Sequence, residues 1–236
     1  MKKLSILLFI IITNISCSES SQITITKLEG SPKYENSKLK LNELTFNGKH
    51  NFSFGVDDYQ MGEQTLKDFK FKLANSDKGQ HIHFIINNAP YSAHYAEDFS
   101  KKLEEGNNVI LAFLSRSYHE SVKNPNAYYF SQIGEGKKIN LDREFLFYSR
   151  PKGVYKGIDT EKLLLDFYLI NTDISPDGNK VKATIQNSEF IIDKWAPYYI
   201  EGLPKGEISI KLELINSEGV LIDSPFNPSY RTVTLE

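Results

Sequence analysis

The residues best suited to chemistry are histidines: all five lie within residues 50–119, and four of them form the candidate set. His81 and His83 stand two apart in an alternating segment, so on a strand their side chains point the same way, about 6–7 Å apart. His94 follows on the next strand or its turn, and His119 ends an apolar strand. An all-imidazole set suits zinc, copper or nickel. We therefore predict a divalent transition-metal site at these four residues; the alternative is an ordinary strand face whose intervening residues enter the core.

A second candidate is an anion site built from Arg116, Arg150 and Lys152. The planar guanidinium grips a phosphate or carboxylate through two hydrogen bonds, and arginine clusters recognise phosphorylated motifs. Such a pocket requires Arg116 and Arg150 to converge where two domains meet. In the alternative interpretation, each arginine binds loop carbonyls or pairs with Glu120 or Glu144.

Two aromatic clusters form a third candidate, a surface for a glycan or a peptide. They are Tyr128-Tyr-Phe130 and Trp195-Ala-Pro-Tyr-Tyr199. Aromatic faces suit sugar rings, although tyrosines in β-sandwiches are often core or corner residues. Hydrolytic chemistry has little support, because the sequence holds no Gly-x-Ser-x-Gly elbow, glycine-rich phosphate loop or dinucleotide fingerprint. We expect a protein that is not an enzyme and has no cofactor apart from the candidate metal.

Alternating segments and turn signals dominate the chain that must position these residues. Segments 38–44, 69–73, 81–86, 208–214 and 231–235 alternate at least in part at period two, as half-buried strands do. Asn-Gly, Asp-Gly and similar pairs separate them. The one helix-like segment is short, at 97–104. The sequence predicts an all-β fold.

The chain also repeats itself at a period near 100 residues. GQHIHFIINN at 79–88 aligns with GNKVKATIQN at 178–187, and residues 110, 112 and 114 align with 210, 212 and 214; upstream, 69 and 71 fall over 168 and 170. This period predicts two tandem immunoglobulin-like β-sandwich domains formed by internal duplication, at 23–132 and 137–236. One large sandwich is the alternative. Segment 109–114 is apolar on both faces, so we expect the other domain to cover it.

The amino terminus indicates export. A basic start, an apolar run from Ile6 to Ile12 and a small residue before Cys17 describe a signal peptide over 1–16. Cys17 is the only cysteine, so it cannot form a disulfide within the chain. We predict that it carries a diacylglycerol lipid, and that 17–22 is a polar tether; a plain signal peptide with a stray cysteine is the alternative.

Four strings carry a resemblance to a known family: GQHIHFII at 79–86, LAFLSRSYHESVK at 111–123, LFYSRPKG at 146–153 and PYYIEGLP at 197–204. Together they resemble poorly characterised envelope lipoproteins of Bacteroidota that carry the label "phosphopeptide-binding protein". The resemblance covers most of the mature chain and supports lipidation of Cys17. It implies no catalytic motif.

The charge of the chain limits the classes of binding partner that we expect. The formal net charge is −2, and no basic run is present, so nucleic acid is not an expected partner. We expect a lipid-anchored protein of the cell envelope, held in the outer membrane through its N-terminal lipid. Its expected role is either structural or the binding of a protein, peptide or glycan ligand. Among these ligands, a phosphorylated or other anionic peptide is the first candidate. Metal binding and glycan binding are the alternatives.

Overall fold

The computed structural model describes residues 22–236, which form an all-β fold with one short turn of 3-10 helix at Gly157–Thr160. The first eight strands are β1 Thr24–Lys27, β2 Lys38–Phe46, β3 His50–Asp57, β4 His81–Ile86, β5 Ser92–His94, β6 Asp98–Lys101, β7 Asn108–Ser115 and β8 Tyr128–Ile133. The second eight are β9 Phe145–Arg150, β10 Gly153–Tyr155, β11 Leu163–Ile170, β12 Lys180–Ile185, β13 Ser188–Ile192, β14 Tyr198–Glu201, β15 Gly206–Ile215 and β16 Ser229–Leu235. The predicted all-β class is confirmed.

The first sandwich consists of sheet β2-β3-β6 and sheet β5-β4-β7-β8. Alternate residues of the central strands fill the space between the sheets, because successive side chains of a strand point to opposite faces. Phe52 and Phe54 of β3 meet Ile82 and Phe84 of β4 in this core.

The second sandwich consists of sheet β1-β14-β11-β9 and sheet β10-β16-β15-β12-β13. Its core takes alternate residues of the same kind, with Phe167 and Leu169 of β11 packed against Ile210 and Leu212 of β15. Strand β10 joins β16 in parallel, whereas the other pairings of this sandwich are antiparallel.

Strand order supports internal duplication. The order β2-β3-β6 in the first sandwich corresponds to β9-β11-β14 in the second, and β5-β4-β7-β8 corresponds to β13-β12-β15-β16. The repeat offset read from the sequence matches the pairs β4 and β12, and β7 and β15. The upstream alignment is wrong, because Tyr168 and Ile170 lie on β11, whose counterpart is β3 and not the segment around Phe69 and Phe71.

The two sandwiches contact each other through a third apolar cluster. Leu111 and Phe113 of β7 pack against Phe147 and Tyr168 of the second sandwich. Strand β7 is therefore buried on both faces by two different cores. This contact accounts for the apolar residues on both faces of 109–114, and it places the junction next to β4 and β9.

Two local predictions are wrong. The helix-like segment at 97–104 contains strand β6, which pairs with β3 over Asp98–Lys101; pairing with a neighbouring strand overrides a weak local preference. The expected strand at 69–73 is an irregular segment whose aromatic rings pack elsewhere. Phe69 lies edge-on to Tyr118 with centroids 5.2 Å apart, and Phe71 contacts Tyr199 at 4.8 Å.

The start of the first predicted domain also needs correction. Strand β1, which falls inside 23–132, pairs antiparallel with β14 in the second sandwich, with Ile25 opposite Ile200. Its hydrogen bonds extend the sheet of the second sandwich beyond β14. The signal peptide, Cys17 and the tether up to residue 21 lie outside the described residues. Among residues 22–236, no helix is long and apolar enough to cross a bilayer.

Candidate metal centre

Three of the four predicted histidines converge at the junction between the sandwiches. His81 and His83 lie on the face of β4 that is opposite to Ile82 and Phe84, and neither imidazole is exposed to solvent. His119 lies in the turn after β7 and is partly exposed. The cluster is therefore closed on the β4 side, and His119 is its least buried member.

Local backbone geometry fixes the first imidazole. Gly79 adopts a φ of +79°, and a Cβ there would lie 2.4 Å from the Gly62 carbonyl oxygen, so the turn into β4 requires glycine. The Gly79 carbonyl lies 2.8 Å from His81 Nδ1. Because a carbonyl can only accept, the neutral ring carries its proton on Nδ1 and leaves Nε2 as a bare lone pair.

The ring nitrogens face one another at distances that fit a single ion. His81 Nε2 lies 2.9 Å from His83 Nε2 and 3.1 Å from His119 Nδ1. The three ligand atoms lie within 4.8 Å of one another. Two nitrogens on one tetrahedral zinc, each bound at 2.0–2.1 Å, are separated by about 3.3 Å. Small movements of these rings would bring all three nitrogens into a coordination sphere.

Without an ion, these nitrogens compete for one lone pair. His81 Nε2 can accept a single hydrogen bond well, yet two ring nitrogens approach it. The Tyr91 hydroxyl, 3.2 Å away, can donate to His119 Nδ1 and so leave that nitrogen without a proton. Two bare nitrogens about 3 Å apart repel each other, and a cation between them removes that repulsion.

Burial keeps the imidazoles neutral, which is the state that binds metals. It lowers the pKa of His81 to about 4 and lowers the pKa values of His83 and His119 well below their usual range. The nearby positive charges of Arg150 and Lys152 act in the same direction on all three rings. The rings therefore offer lone pairs at neutral pH.

His94 does not share this face of the sheet. It pairs with Ile82 across β4 and β5, so its ring enters the core of the first sandwich. There it stacks on Phe99 with centroids 3.6 Å apart, and its Nε2 lies 2.9 Å from Ser92 Oγ. The structure brings together three of the four predicted ligands.

The predicted anion residues have separate environments. Arg116 pairs with Glu120 at 2.8 Å, with both side chains 4% exposed, and it also donates to the carbonyls of Pro32 and Ser121. These are the partners of the alternative interpretation. Arg150 instead lies beside the histidine cluster.

At that cluster, Arg150 Nη1 donates to Tyr155 Oη at 2.9 Å. Lys152 Nζ donates to the Tyr91 carbonyl at 2.7 Å. Neither cation pairs with a carboxylate within residues 22–236. Two positive charges therefore accompany the imidazoles with no acidic partner.

The aromatic clusters meet at a different place. Tyr128 and Trp195 line one cleft of about 630 Å³ between the sandwiches, together with polar residues that include Glu144 and Asn171. Trp195 is fixed there because its indole Nε1 donates to the Phe167 carbonyl at 3.1 Å. Both rings are partly buried.

Sequence reasoning missed three residues whose hydroxyl groups reach the imidazole nitrogens: Tyr91, Ser149 and Ser115, whose Oγ lies 3.1 Å from His83 Nε2. The Tyr91 ring stacks on His83 with centroids 3.4 Å apart, and Ser149 Oγ on β9 lies 3.4 Å from His83 Nδ1. Ser149 comes from the second sandwich, so the alternation within β4 carries no signal for it. Tyr91 was visible only as a neighbour of His94.

No protein-family profile and no curated relative matches the chain. Solved structures with similarity to it include the fibronectin(III)-like modules of Clostridium thermocellum CbhA, at 12% identity and a TM-score of 0.31 over 91% of this chain and 94% of that chain. Domains 4 and 5 of the S-layer protein SbsC match at 10% identity and 0.21, over 91% and 98%.

A third similar structure is SGBP-B of the Bacteroides ovatus mixed-linkage glucan utilization locus, in complex with a mixed-linkage heptasaccharide. It matches at 8% identity and a TM-score of 0.23, over 80% of this chain and 63% of that chain. These TM-scores are too low to support an argument about ligands or activity. The sandwich assignment rests on the sheets and cores described above.

Proposed function

We propose that this protein binds one divalent transition-metal ion of the zinc, copper or nickel class through His81, His83 and His119. The observation that carries the proposal is the convergence of three neutral imidazole nitrogens, from a strand and a turn, at 2.9 and 3.1 Å around His81 Nε2. A three-histidine set leaves a tetrahedral ion one open position. The proposed role is metal binding, and no catalytic step is assigned to the site.

Outer groups support the same assignment. Metal-binding histidines commonly donate their second ring N–H to a carbonyl or another acceptor, which orients the ring. The Gly79 carbonyl has this position at His81 Nδ1, and Ser149 Oγ has it at His83 Nδ1. Binding would move the His83 proton from Nε2 to Nδ1, where the serine oxygen can accept it.

We propose the cell envelope as the place of this function, with Cys17 as the lipid-bearing residue. The support is the order of a basic start, an apolar run and a lone cysteine. Mass spectrometry of the membrane fraction tests it. A mature N terminus at Cys17 that carries acyl chains supports the anchor, and a cut elsewhere or an unmodified cysteine contradicts it.

Calorimetry of the full chain in mild detergent, with Zn²⁺, Cu²⁺ and Ni²⁺, tests the metal site. One ion should bind, and an ion at 100 times its dissociation constant should add about 2.7 kcal/mol to the free energy of unfolding. Replacing His81 and His83 by alanine should abolish both effects. His94→Ala is the matched control, because that ring lies on the opposite face of the sheet, and it should bind as the native chain does.

Two results would contradict the metal proposal. One is the absence of any melting shift with all three ions. The other is a shift that survives the loss of both β4 histidines, since binding would then lie elsewhere.

A glycan site is the second candidate, favoured by the meeting of Tyr128 and Trp195 in one polar cleft. Trp195 is the only tryptophan in the chain, so its fluorescence reports on this cleft alone. A saturable change with an oligosaccharide, abolished in Trp195→Phe, would support the candidate. Unchanged emission across a panel of α- and β-linked oligosaccharides would contradict it.

A further inference from the structure

Tyr91 places its hydroxyl at the rim of the three histidine nitrogens. Its ring stacks on His83 with an interplanar angle of 13° and centroids 3.4 Å apart. Its oxygen lies 3.2 Å from His119 Nδ1. Two ligand atoms bound to one tetrahedral ion lie about 3.3 Å apart, so this oxygen stands at a spacing suited to a fourth ligand.

The positive charges around the Tyr91 ring would be stabilised by an anion. Arg150 is 7% exposed, its Nε has no hydrogen-bond partner, and no carboxylate pairs with it in the described part of the chain. Lys152 Nζ lies 3.7 Å from the centre of the Tyr91 ring. Buried charges are costly unless they are paired. Both cations flank the same tyrosine, and that tyrosine can become an anion.

The Tyr91 hydroxyl lies within hydrogen-bond distance of His119 Nδ1, so an ion bound at that nitrogen would lie beside the phenol oxygen. A divalent ion adds a much larger positive charge at the oxygen, and such an ion deprotonates acidic ligands outright.

Resting on the metal site proposed above, we propose that Tyr91 is its fourth protein ligand and binds as a phenolate, giving a three-histidine, one-tyrosinate centre. The metal–oxygen bond forms as the phenol O–H bond breaks, and the proton leaves to solvent past the partly exposed His119. No electron is transferred. The phenolate offsets the uncompensated charge of Arg150 and Lys152, which explains why two cations stand next to a cation site.

This ligand set favours particular metals. Imidazole nitrogens together with a phenolate oxygen suit Cu²⁺ and Zn²⁺ among the available ions. A tyrosinate bound to Cu²⁺ absorbs visible light through ligand-to-metal charge transfer, and imidazole or water ligands give no such intense band. Copper is therefore the probe for this oxygen.

The experiment titrates Cu²⁺ into the full chain in mild detergent while calorimetry and visible absorption are recorded. We expect an intense visible band that saturates at one equivalent. Tyr91→Phe should still bind one ion through the histidines, with the band absent and affinity lower by at least about tenfold, since loss of even an outer partner costs 10–100-fold. Tyr95→Phe is the matched control, because that ring also contacts His81, at 4.9 Å between centroids, and it should keep the band.

Other outcomes overturn this inference without touching the first proposal, or overturn both. One bound ion with no band in the native chain, or a band that persists in Tyr91→Phe, means that water or an external anion holds the fourth position and that the histidine site alone stands. An absence of bound copper by calorimetry refutes the Tyr91 inference, and an absence of bound Zn²⁺ and Ni²⁺ as well refutes both proposals together. Melting of each apo variant verifies that it is folded.

Discussion

The turn that carries His119 supplies a direct test of the site. His119 has a φ of +69°, a left-handed conformation that side chains with a Cβ rarely adopt. Its counterpart in the second repeat is Gly219, with a φ of +81°. The two turns share their hydrogen bonds: His119 N donates to the Arg116 carbonyl at 2.8 Å, and Gly219 N donates to the Asn216 carbonyl at 3.0 Å. The first repeat thus places an imidazole where the second has glycine.

Two substitutions separate this backbone strain from the imidazole. His119→Ala and His119→Gly both remove the ring, but only alanine keeps a Cβ in the left-handed region, at a cost of about 1–2 kcal/mol. Glycine loses about 0.5–1 kcal/mol of this advantage because its unfolded chain is more flexible. We therefore expect His119→Gly to be more stable than His119→Ala by about 1 kcal/mol, or about 2–4 °C in Tm for a chain of this size.

Urea and thermal unfolding, each with and without Zn²⁺, measure both effects. In the native chain, Zn²⁺ at 100 times its dissociation constant should add about 2.7 kcal/mol, and neither variant should show this gain. Equal stability of the two variants would refute the strained turn. A full Zn²⁺ gain in either variant would refute His119 as a ligand.

Three further predictions follow from buried charge. Burial lowers the pKa of His81 from 6.5 to about 4, so the unfolded chain takes up this proton first. The free energy of unfolding without metal should therefore fall between pH 6.5 and 4, and His81 alone should contribute about 3 kcal/mol of that fall. His81→Gln should lose this contribution, as urea midpoints at each pH would show. Arg116→Met leaves Glu120 buried without its cation and should lower the free energy of unfolding in urea by about 3–5 kcal/mol. Adding Glu120→Leu should recover most of this loss. A loss below about 1 kcal/mol in Arg116→Met would contradict the buried pair. Asp166 is fully buried on β11 and pairs with Lys123 across the junction. Asp166→Asn should therefore lower the free energy of unfolding by about 3 kcal/mol and separate the unfolding transitions of the two sandwiches in calorimetry. An unchanged single transition would contradict a role of this ion pair in joining the sandwiches.

Much of the architecture could be predicted because period-two alternation reports directly on half-buried strands. The same rule placed His81 and His83 on one face, and the repeat placed β4 over β12. The alternation rule failed where the structure depends on contacts between distant parts of the chain. The segment around Phe69 has strand-like alternation, but its rings pack on Tyr118 and Tyr199 and form no ladder.

For the same reason, only some of the residues of the site could be predicted from the sequence. His94 lies on the opposite face because the register of β5 sets it against Ile82, and a register shift of one residue reverses every side chain. Ser149 and Arg150 reach the histidines from the second sandwich, so only the packing of the two repeats brings them near. Tyr91 becomes a candidate ligand only through the position of its hydroxyl, 3.2 Å from His119 Nδ1.

Anomalous diffraction from crystals of the zinc-loaded protein would locate the bound metal. We expect one strong zinc peak at the junction of the sandwiches, about 2.0–2.1 Å from His81 Nε2, His83 Nε2 and His119 Nδ1. A zinc peak at another place, for example at His50 or His94, would contradict the proposed metal site. So would the absence of zinc from the three histidines in crystals saturated with zinc.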